Sequence, residues 1–272
     1  MIKVSNPNWL VYTISGFAAL AGLLFGYDTG IISGAILFIE KDFALTNFQI
    51  EMVVSAVLLG ALIGSGLSGR VSDIFGRRKV LVFTAVTFII GSLATAFSPS
   101  LIFLIVGRII LGVAIGIGSF TAPLYLAEIA PKRIRGMLVS LNQLAITIGI
   151  VISYLINYYF SVTGQWPWML GLGVVPAIIL LLGTIYLPES PRWMILKGWD
   201  QKARAVLQRI RHGENINNEF DEIRQTVAIE KGTHRLLLAK WLRPILFISL
   251  GLSFFQQVTG INAIIYYAPT LL

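Results

Sequence analysis

Long uncharged apolar runs alternate with short charged stretches along this chain, and the runs have the length of membrane-crossing helices. A helix that crosses the hydrocarbon core needs about 20 apolar residues. Leu10 to Ile39 is apolar apart from Asp28 and predicts a first span. A polar turn, Glu40 to Glu51, leads to the uncharged run Met52 to Gly69, which predicts a second. A basic loop from Arg70 to Lys79 follows. Val80 to Gly107 is again uncharged, but Ser98-Pro99-Ser100 interrupts it, since proline breaks helices and serine favours turns. The break predicts a third span over 80–97 and a fourth over 101–124 that contains Arg108. After a second charged loop, Glu128 to Arg135, the run Gly136 to Pro188 is too long for one crossing. Thr163-Gly164-Gln165-Trp166-Pro167 divides it into spans five and six, and the nearby Tyr158, Tyr159, Phe160, Trp166 and Trp168 suit a membrane-interface belt.

The pattern then changes. Pro191 to Lys240 is polar and mixed in charge. Asp200 is placed to cap a helix with Ala203, Val206, Leu207 and Ile210 on one face, and Phe220, Ile223 and Val227 repeat the spacing. These predict short amphipathic helices at the membrane surface. A seventh span begins at Pro244. The expected organisation is a six-helix bundle over 1–190, a cytoplasmic linker over 191–240 and the seventh span over 241–272.

Composition agrees with the pattern. Hydrophobic residues make up 56% of the chain and charged ones 12%, with a mean hydropathy of +0.80. Backbone in lipid must satisfy its own hydrogen bonds, which leaves helix bundles or closed barrels, and long apolar runs select helices. The fold class is an all-α membrane protein. The first run lacks a convincing cleavage site and reads as a retained helix. With no cysteine, and with both histidines (His212 and His234) in the polar segment, disulfides, metal sites and cofactors are not expected. Nor does the chain offer an intramembrane histidine to serve as a base beside a nucleophile, so no enzyme is expected.

The net charge of +8 does not point to nucleic acid, because its placement follows topology. Lys3, the two basic loops and the segment 192–243 hold 19 of the 21 lysines and arginines. By the positive-inside rule the N-terminus is cytoplasmic, in a cell (plasma or inner) membrane. Gly60, Gly64 and Ser68, and likewise Gly112 and Gly116, recur at four-residue spacing, which lets helices approach closely.

Three constellations carry candidate chemistry. Asp28 and Arg108 lie inside spans, where charge is expensive and needs a partner. Such a pair either pins two helices or acts as a proton switch, with Asp28 ionised beside Arg108 and protonated when they separate. Charged motifs at span ends form the second: Gly69-Arg70-Val71-Ser72-Asp73-Ile74-Phe75-Gly76-Arg77-Arg78-Lys79, the run from Pro123 through Glu128 to Arg135-Gly136, and Pro188-Glu189-Ser190-Pro191-Arg192-Trp193. Topology accounts for their basic residues but not for Asp73, Glu128 and Glu189 among them, which suggests a gate of ion pairs. Amides form the third: Asn142 and Gln143 in span five, then Gln256, Gln257 and Asn262, with Thr259, in span seven. Amides both donate and accept, which suits a neutral polyhydroxylated ligand.

These motifs, with Gly107-Arg108-Ile109-Ile110-Leu111-Gly112 and Gln256-Gln257-Val258-Thr259-Gly260-Ile261-Asn262, resemble in content and order those of the sugar porter family of the major facilitator superfamily. The resemblance covers the whole chain as the first seven helices. It implies a major facilitator-type bundle and alternating access between two six-helix halves. It further implies Gln143, Gln256, Gln257 and Asn262 as monosaccharide ligands, and a cytoplasmic gate of Gly69, Arg70, Asp73, Gly76, Arg77, Arg78, Glu128, Arg135, Glu189 and Arg192. Phe25-Gly26-Tyr27-Asp28-Thr29-Gly30 resembles the pattern of proton-coupled members that carry pentoses, hexoses or inositols, with Arg108 as the partner of Asp28.

The family pattern has twelve spans and this chain ends near the close of the seventh, so the expectation includes a homodimer or a second polypeptide in place of the other half. The alternatives to a proton symporter are a facilitative uniporter and a truncated sugar-binding receptor or remnant that does not transport.

Overall fold

The computed structural model describes residues 9–211, 216–230, 243–261 and 264–266. Eleven helices occur within them: α1 (Trp9–Phe43), α2 (Asn47–Phe75), α3 (Arg77–Ala96), α4 (Leu101–Ile129), α5 (Arg135–Ser161), α6 (Trp166–Gly171), α7 (Val174–Tyr186), α8 (Pro191–Leu196), α9 (Asp200–Arg211), α10 (Asn217–Glu230) and α11 (Arg243–Val258). Among the described residues six crossings are long and apolar enough to span a bilayer, α6 and α7 together making the sixth, Trp166–Tyr186. Local chemistry sets several starts. Thr46 and Gln49 form a reciprocal capping box ahead of α2, Ser100 Oγ caps α4, and Ser190 caps α8 with Pro191 in its first turn.

Both basic loops are shorter than the charge pattern predicts. α2 continues through Arg70 to Phe75 and α3 starts at Arg77, so Gly76 alone separates them. α4 runs through Glu128 to Ile129. Charge ends an apolar span but not a helix, because arginine, lysine and glutamate are good helix formers. The second break falls where backbone chemistry demands it. Ala130, before Pro131, is extended, as a residue preceding proline prefers to be.

Two parallel pairs, α2 with α4 and α1 with α5, interlock at backbone distance. Gly60 and Gly64 of α2 meet α4 at Ile109, Gly112 and Val113, and Gly112 and Gly116 fit in return against Val57 and Ala61. On α1, Gly22, Gly26, Gly30 and Gly34 meet Asn142, Ile146, Ser153 and Asn157 of α5. The α1 glycines stand at the same four-residue spacing as those of α2 and α4. Close backbone approach is the source of attraction in lipid, where apolar burial alone does not drive association. Gly60→Ala is therefore expected to lower stability in detergent by about 1–3 kcal/mol, because its methyl meets the Ile109 carbonyl. Gly66→Ala, on the same helix with open space at that position, is expected to be neutral or stabilising. Thermal unfolding of the two variants checks the contrast.

The polar segment does not lie with its apolar face in the membrane surface. Ala203, Leu207 and Ile210 of α9 and Phe220 and Val227 of α10 are buried in one core with Leu126, Ile129 and Ala130 of the α4 end. The periodicity was right about the face and wrong about its partner: the ends of the bundle cover it. Helix α11 has no buried residue and ends before Gly260, whose φ of 70° stops the helix. Beyond that turn the chain touches the bundle again, where the Tyr154 hydroxyl donates to the Ile265 carbonyl at 3.1 Å.

Candidate functional site

Asp28 lies deep in α1 and Arg108 in the first third of α4, and the fold brings them together. Arg108 Nη1 donates to Asp28 Oδ1 at 2.5 Å, with side-chain exposures of 0% and 4%. Among the described residues, Nε and Nη2 of Arg108 have no hydrogen-bond partner. Among those residues the pair thus rests on one charge-assisted bond between two buried side chains. Such a bond is strong while made, but the desolvation of both ions opposes it. Next to it Tyr27 donates to the Met169 carbonyl at 2.5 Å, tying α1 to α6. Tyr266, beyond the α11 turn, lies close to Thr29 and Asp28 of α1.

The charged motifs converge at the other end of these helices, hereafter the basic end. Arg77 is buried at the start of α3 and forks onto Glu128, with Nε to Oε2 at 2.9 Å and Nη2 to Oε1 at 3.0 Å. Its Nη1 donates to Asp73 Oδ1 and to the Ser72 carbonyl, both at 3.1 Å. Glu189 caps α3 from a distance in sequence, its Oε1 accepting from the backbone N–H of Arg77 at 3.0 Å and of Arg78 at 3.2 Å. A carboxylate at a helix N-terminus meets free N–H groups and the positive end of the dipole. Burial pushes the Glu189 carboxyl above its ordinary range, opposed by the N–H donors of Ser190, Arg78 and Arg77 and by the Arg77 charge. Arg78 donates to the last carbonyls of α7, Thr184 at 3.1 Å and Ile185.

Two further residues complete this end. Trp193 Nε1 donates to the Asp73 carbonyl at 2.9 Å, and the Tyr125 hydroxyl to the Pro188 carbonyl at 2.6 Å. Both stand inside the quoted motifs, but their hydrogen-bonding ends point at backbone, which residue types do not reveal. Arg192 lines an open cleft of about 460 Å³ with Asp73, Arg77, Glu128 and Lys197. Gly69, Arg70 and Arg135 stay outside the network: Arg70 and Arg135 are exposed and make no ion pair among the described residues.

Gly76 is the tightest point. Its φ of 93° is rarely accessible to other residues, and a Cβ there meets the Glu189 carboxylate. Gly76→Ala is expected to cost about 1–3 kcal/mol and to loosen Glu189 from α3. Gly69→Ala, with open space around it, is expected to be silent. Thermal stability of the two variants in detergent reads the difference.

The amides separate. Asn142 is buried against Gly22 of α1, whereas Gln143, one residue on, is exposed. Gln256 and Gln257 are exposed on α11, and Asn262 lies outside the described residues, as do His212, His234 and Lys3. Among the described residues no group of histidines, cysteines and acids is placed to hold a metal ion.

This backbone superposes on that of the proton:xylose symporter XylE of E. coli, solved with 6-bromo-6-deoxy-D-glucose bound, with a TM-score of 0.88 and 32% identity over 96% of this chain and 62% of that one. Six interlocked crossings, a buried acid–arginine pair and a charged network at the helix ends define a multi-pass membrane protein of the major facilitator class. Within that class the chain belongs to the sugar (and other) transporter family, whose family model matches residues 14–272. It is 49% identical to a D-xylose transporter of Levilactobacillus brevis over 94% of this chain and 56% of that protein. To a galactose-proton symporter of Escherichia coli it is 44% identical, over 96% of this chain and 57% of that protein. The chain thus spans little more than half the length of these curated relatives. Their family moves solutes and is not enzymatic.

Proposed function

We propose that this chain carries the first bundle of a proton-coupled monosaccharide transporter that works by alternating access. The observation that carries the proposal is the buried Asp28–Arg108 pair. An acid is held ionised there only while its arginine stays close, so a conformational change that parts them invites a proton. Proton binding and bundle movement are then one equilibrium, which is what coupling requires. The named substrates of the relatives, and amides that offer both donors and acceptors, support a pentose or hexose as the passenger. Gln143, Gln256, Gln257 and Asn262 are the residues proposed to bind it.

In this reading residues 1–190 form the first bundle, 191–240 a cytoplasmic linker and 241–272 the opening of a second bundle. The exposed faces of α11 support such a second bundle, whether from further chain, a second polypeptide or another copy. The basic end faces the cytoplasm of the cell, the N-terminus with it, as the distribution of lysine and arginine supports. There Asp73, Gly76, Arg77, Arg78, Glu128, Glu189 and Arg192 form a gate closed in the conformation described, while the exposed Arg70 and Arg135, with Gly69, engage it in another.

Uptake of labelled xylose, glucose and inositol into cells lacking their own carriers, with and without a protonophore, tests the reading. Accumulation above the external concentration that a protonophore abolishes is the expected result. Equilibration indifferent to the protonophore would leave a uniporter. Sugar binding with no uptake would leave a receptor.

A further inference from the structure

One arginine outside the gate ties the linker to it. The end of α4 carries a deficit written into its sequence: Pro131 has no N–H, so the Ala127 carbonyl lacks its usual donor, and the last carbonyls of any α-helix are unpaired. Arg211, the last residue of α9, is buried against this end and its Nη1 donates to the Ile129 carbonyl at 2.9 Å. The other edge of the guanidinium is also filled. Nε and Nη2 fork onto the two carboxylate oxygens of Glu219 on α10, at 2.9 and 2.7 Å. A cation at this place also meets the negative end of the α4 dipole. Apolar packing surrounds the contact, with Ile129 and Ala130 in the same core as Leu207, Ile210 and Phe220.

Ile129 follows Glu128, the acid that holds Arg77 with two hydrogen bonds. The fastening of the linker and the closure of the gate therefore share one helical turn. We propose that Arg211 is a positioning residue of the gate. By supplying the donor that the α4 end lacks, it holds the last turn of α4, and with it Glu128, against Arg77. On this account α9 and α10 move with the gate and are no slack tether between bundles. The inference rests on the transporter reading for what the gate does, but the mechanical link is measurable without transport.

The chain has no cysteine, so a single Ser72→Cys substitution can report on the gate. Ser72 is fully buried beneath Arg77, which donates to its carbonyl. The rate of maleimide labelling at that position, in membrane vesicles, reads how often the gate opens. Arg211→Gln is expected to raise this rate about tenfold, the size of one lost charge-assisted hydrogen bond. Arg211→Lys keeps the charge at the helix end but loses the fork, and is expected to fall between the two. Glu128→Gln is expected to raise labelling likewise, and adding Arg211→Gln to it is expected to change nothing further, because both act on the same contact. Should Arg211→Gln fail to reach the membrane, Glu219→Gln, which frees only the fork, is expected to raise labelling about threefold.

Unchanged labelling in these variants, with hydrogen exchange in α10 accelerated, would overturn the proposal and leave Arg211 as a staple of the linker alone. Multiplying effects in the Glu128→Gln background would also overturn it, as general loosening. Sugar uptake in the same vesicles is a separate arm. Labelling as expected in a protein that takes up no sugar would sustain the link and sink the transport reading.

Discussion

On the proposed proton coupling, Asp28→Asn is expected to abolish protonophore-sensitive accumulation of sugar while leaving exchange of sugar across the membrane measurable. Asparagine has nearly the shape of aspartate, and its Oδ1 can still accept from Arg108, so the helices α1 and α4 keep their contact. What it cannot do is carry a charge or bind a proton, and coupling depends on alternating between those states. The same variant exposes an asymmetry in stability. It leaves the Arg108 guanidinium, fully buried, without a counter-ion, and an uncompensated buried charge costs about 3–5 kcal/mol. Arginine does not escape by losing its proton. Arg108→Gln leaves a buried carboxyl instead, and a carboxyl can neutralise itself by taking up a proton. Arg108→Gln is therefore expected to be the more stable of the two in detergent. Accumulation ratios with and without protonophore, counterflow and thermal unfolding provide the measurements. Undiminished accumulation by Asp28→Asn would remove Asp28 from the coupling mechanism.

The second large effect belongs to Arg77. Arg77→Gln strands Glu128, whose side chain is only 4% exposed, and is expected to cost about 3–5 kcal/mol, roughly a 10 °C fall in the thermal midpoint. Asp73 loses the same partner, but at 67% exposure water takes its place and little is lost. Adding Glu128→Gln to Arg77→Gln removes the stranded charge, so the double variant is expected to recover most of the loss. A double variant no better than Arg77→Gln alone would mean that Arg77 acts through its bonds to Ser72 and the α2–α3 turn. The hydrogen bonds from the Arg77 and Arg78 backbone to Glu189 survive either substitution, so the α2–α3 turn is expected to persist.

Much of the architecture followed from the pattern of apolar runs. A crossing needs a length of uncharged chain, and that length survives any tertiary arrangement, which is why the six spans were legible and Ser98-Pro99-Ser100 marked its break correctly. Helix ends were less legible. The charge of Arg70 to Phe75 predicts a loop, whereas a helix leaving the membrane keeps its hydrogen bonds regardless of side-chain polarity. The charged motifs could be assembled into one candidate network because Asp73, Glu128 and Glu189 had no reason to stand among basic residues otherwise. Which atoms meet was not legible. Glu189 binds the backbone of Arg77 and Arg78, and Trp193 the backbone of Asp73, so the partners carry no side-chain signature.

By itself the sequence determined that this protein crosses a membrane in helices, that its positive charge collects at one end of them, and that Asp28 and Arg108 need partners. Each follows from the cost of charge or bare backbone in hydrocarbon, a cost that does not depend on what lies beside the helix. Tertiary structure alone decided the rest. It turned Asn142 into α1 and left Gln143 exposed, though the two are adjacent amides, because the α1 glycines admit one face of α5 and no other. It set the amphipathic faces of α9 and α10 on the bundle end, where the α4 carbonyls wanted a donor and Arg211 supplied it. A helical period names the buried face of an element, but what covers that face is settled by where the fold leaves a matching surface and unpaired backbone.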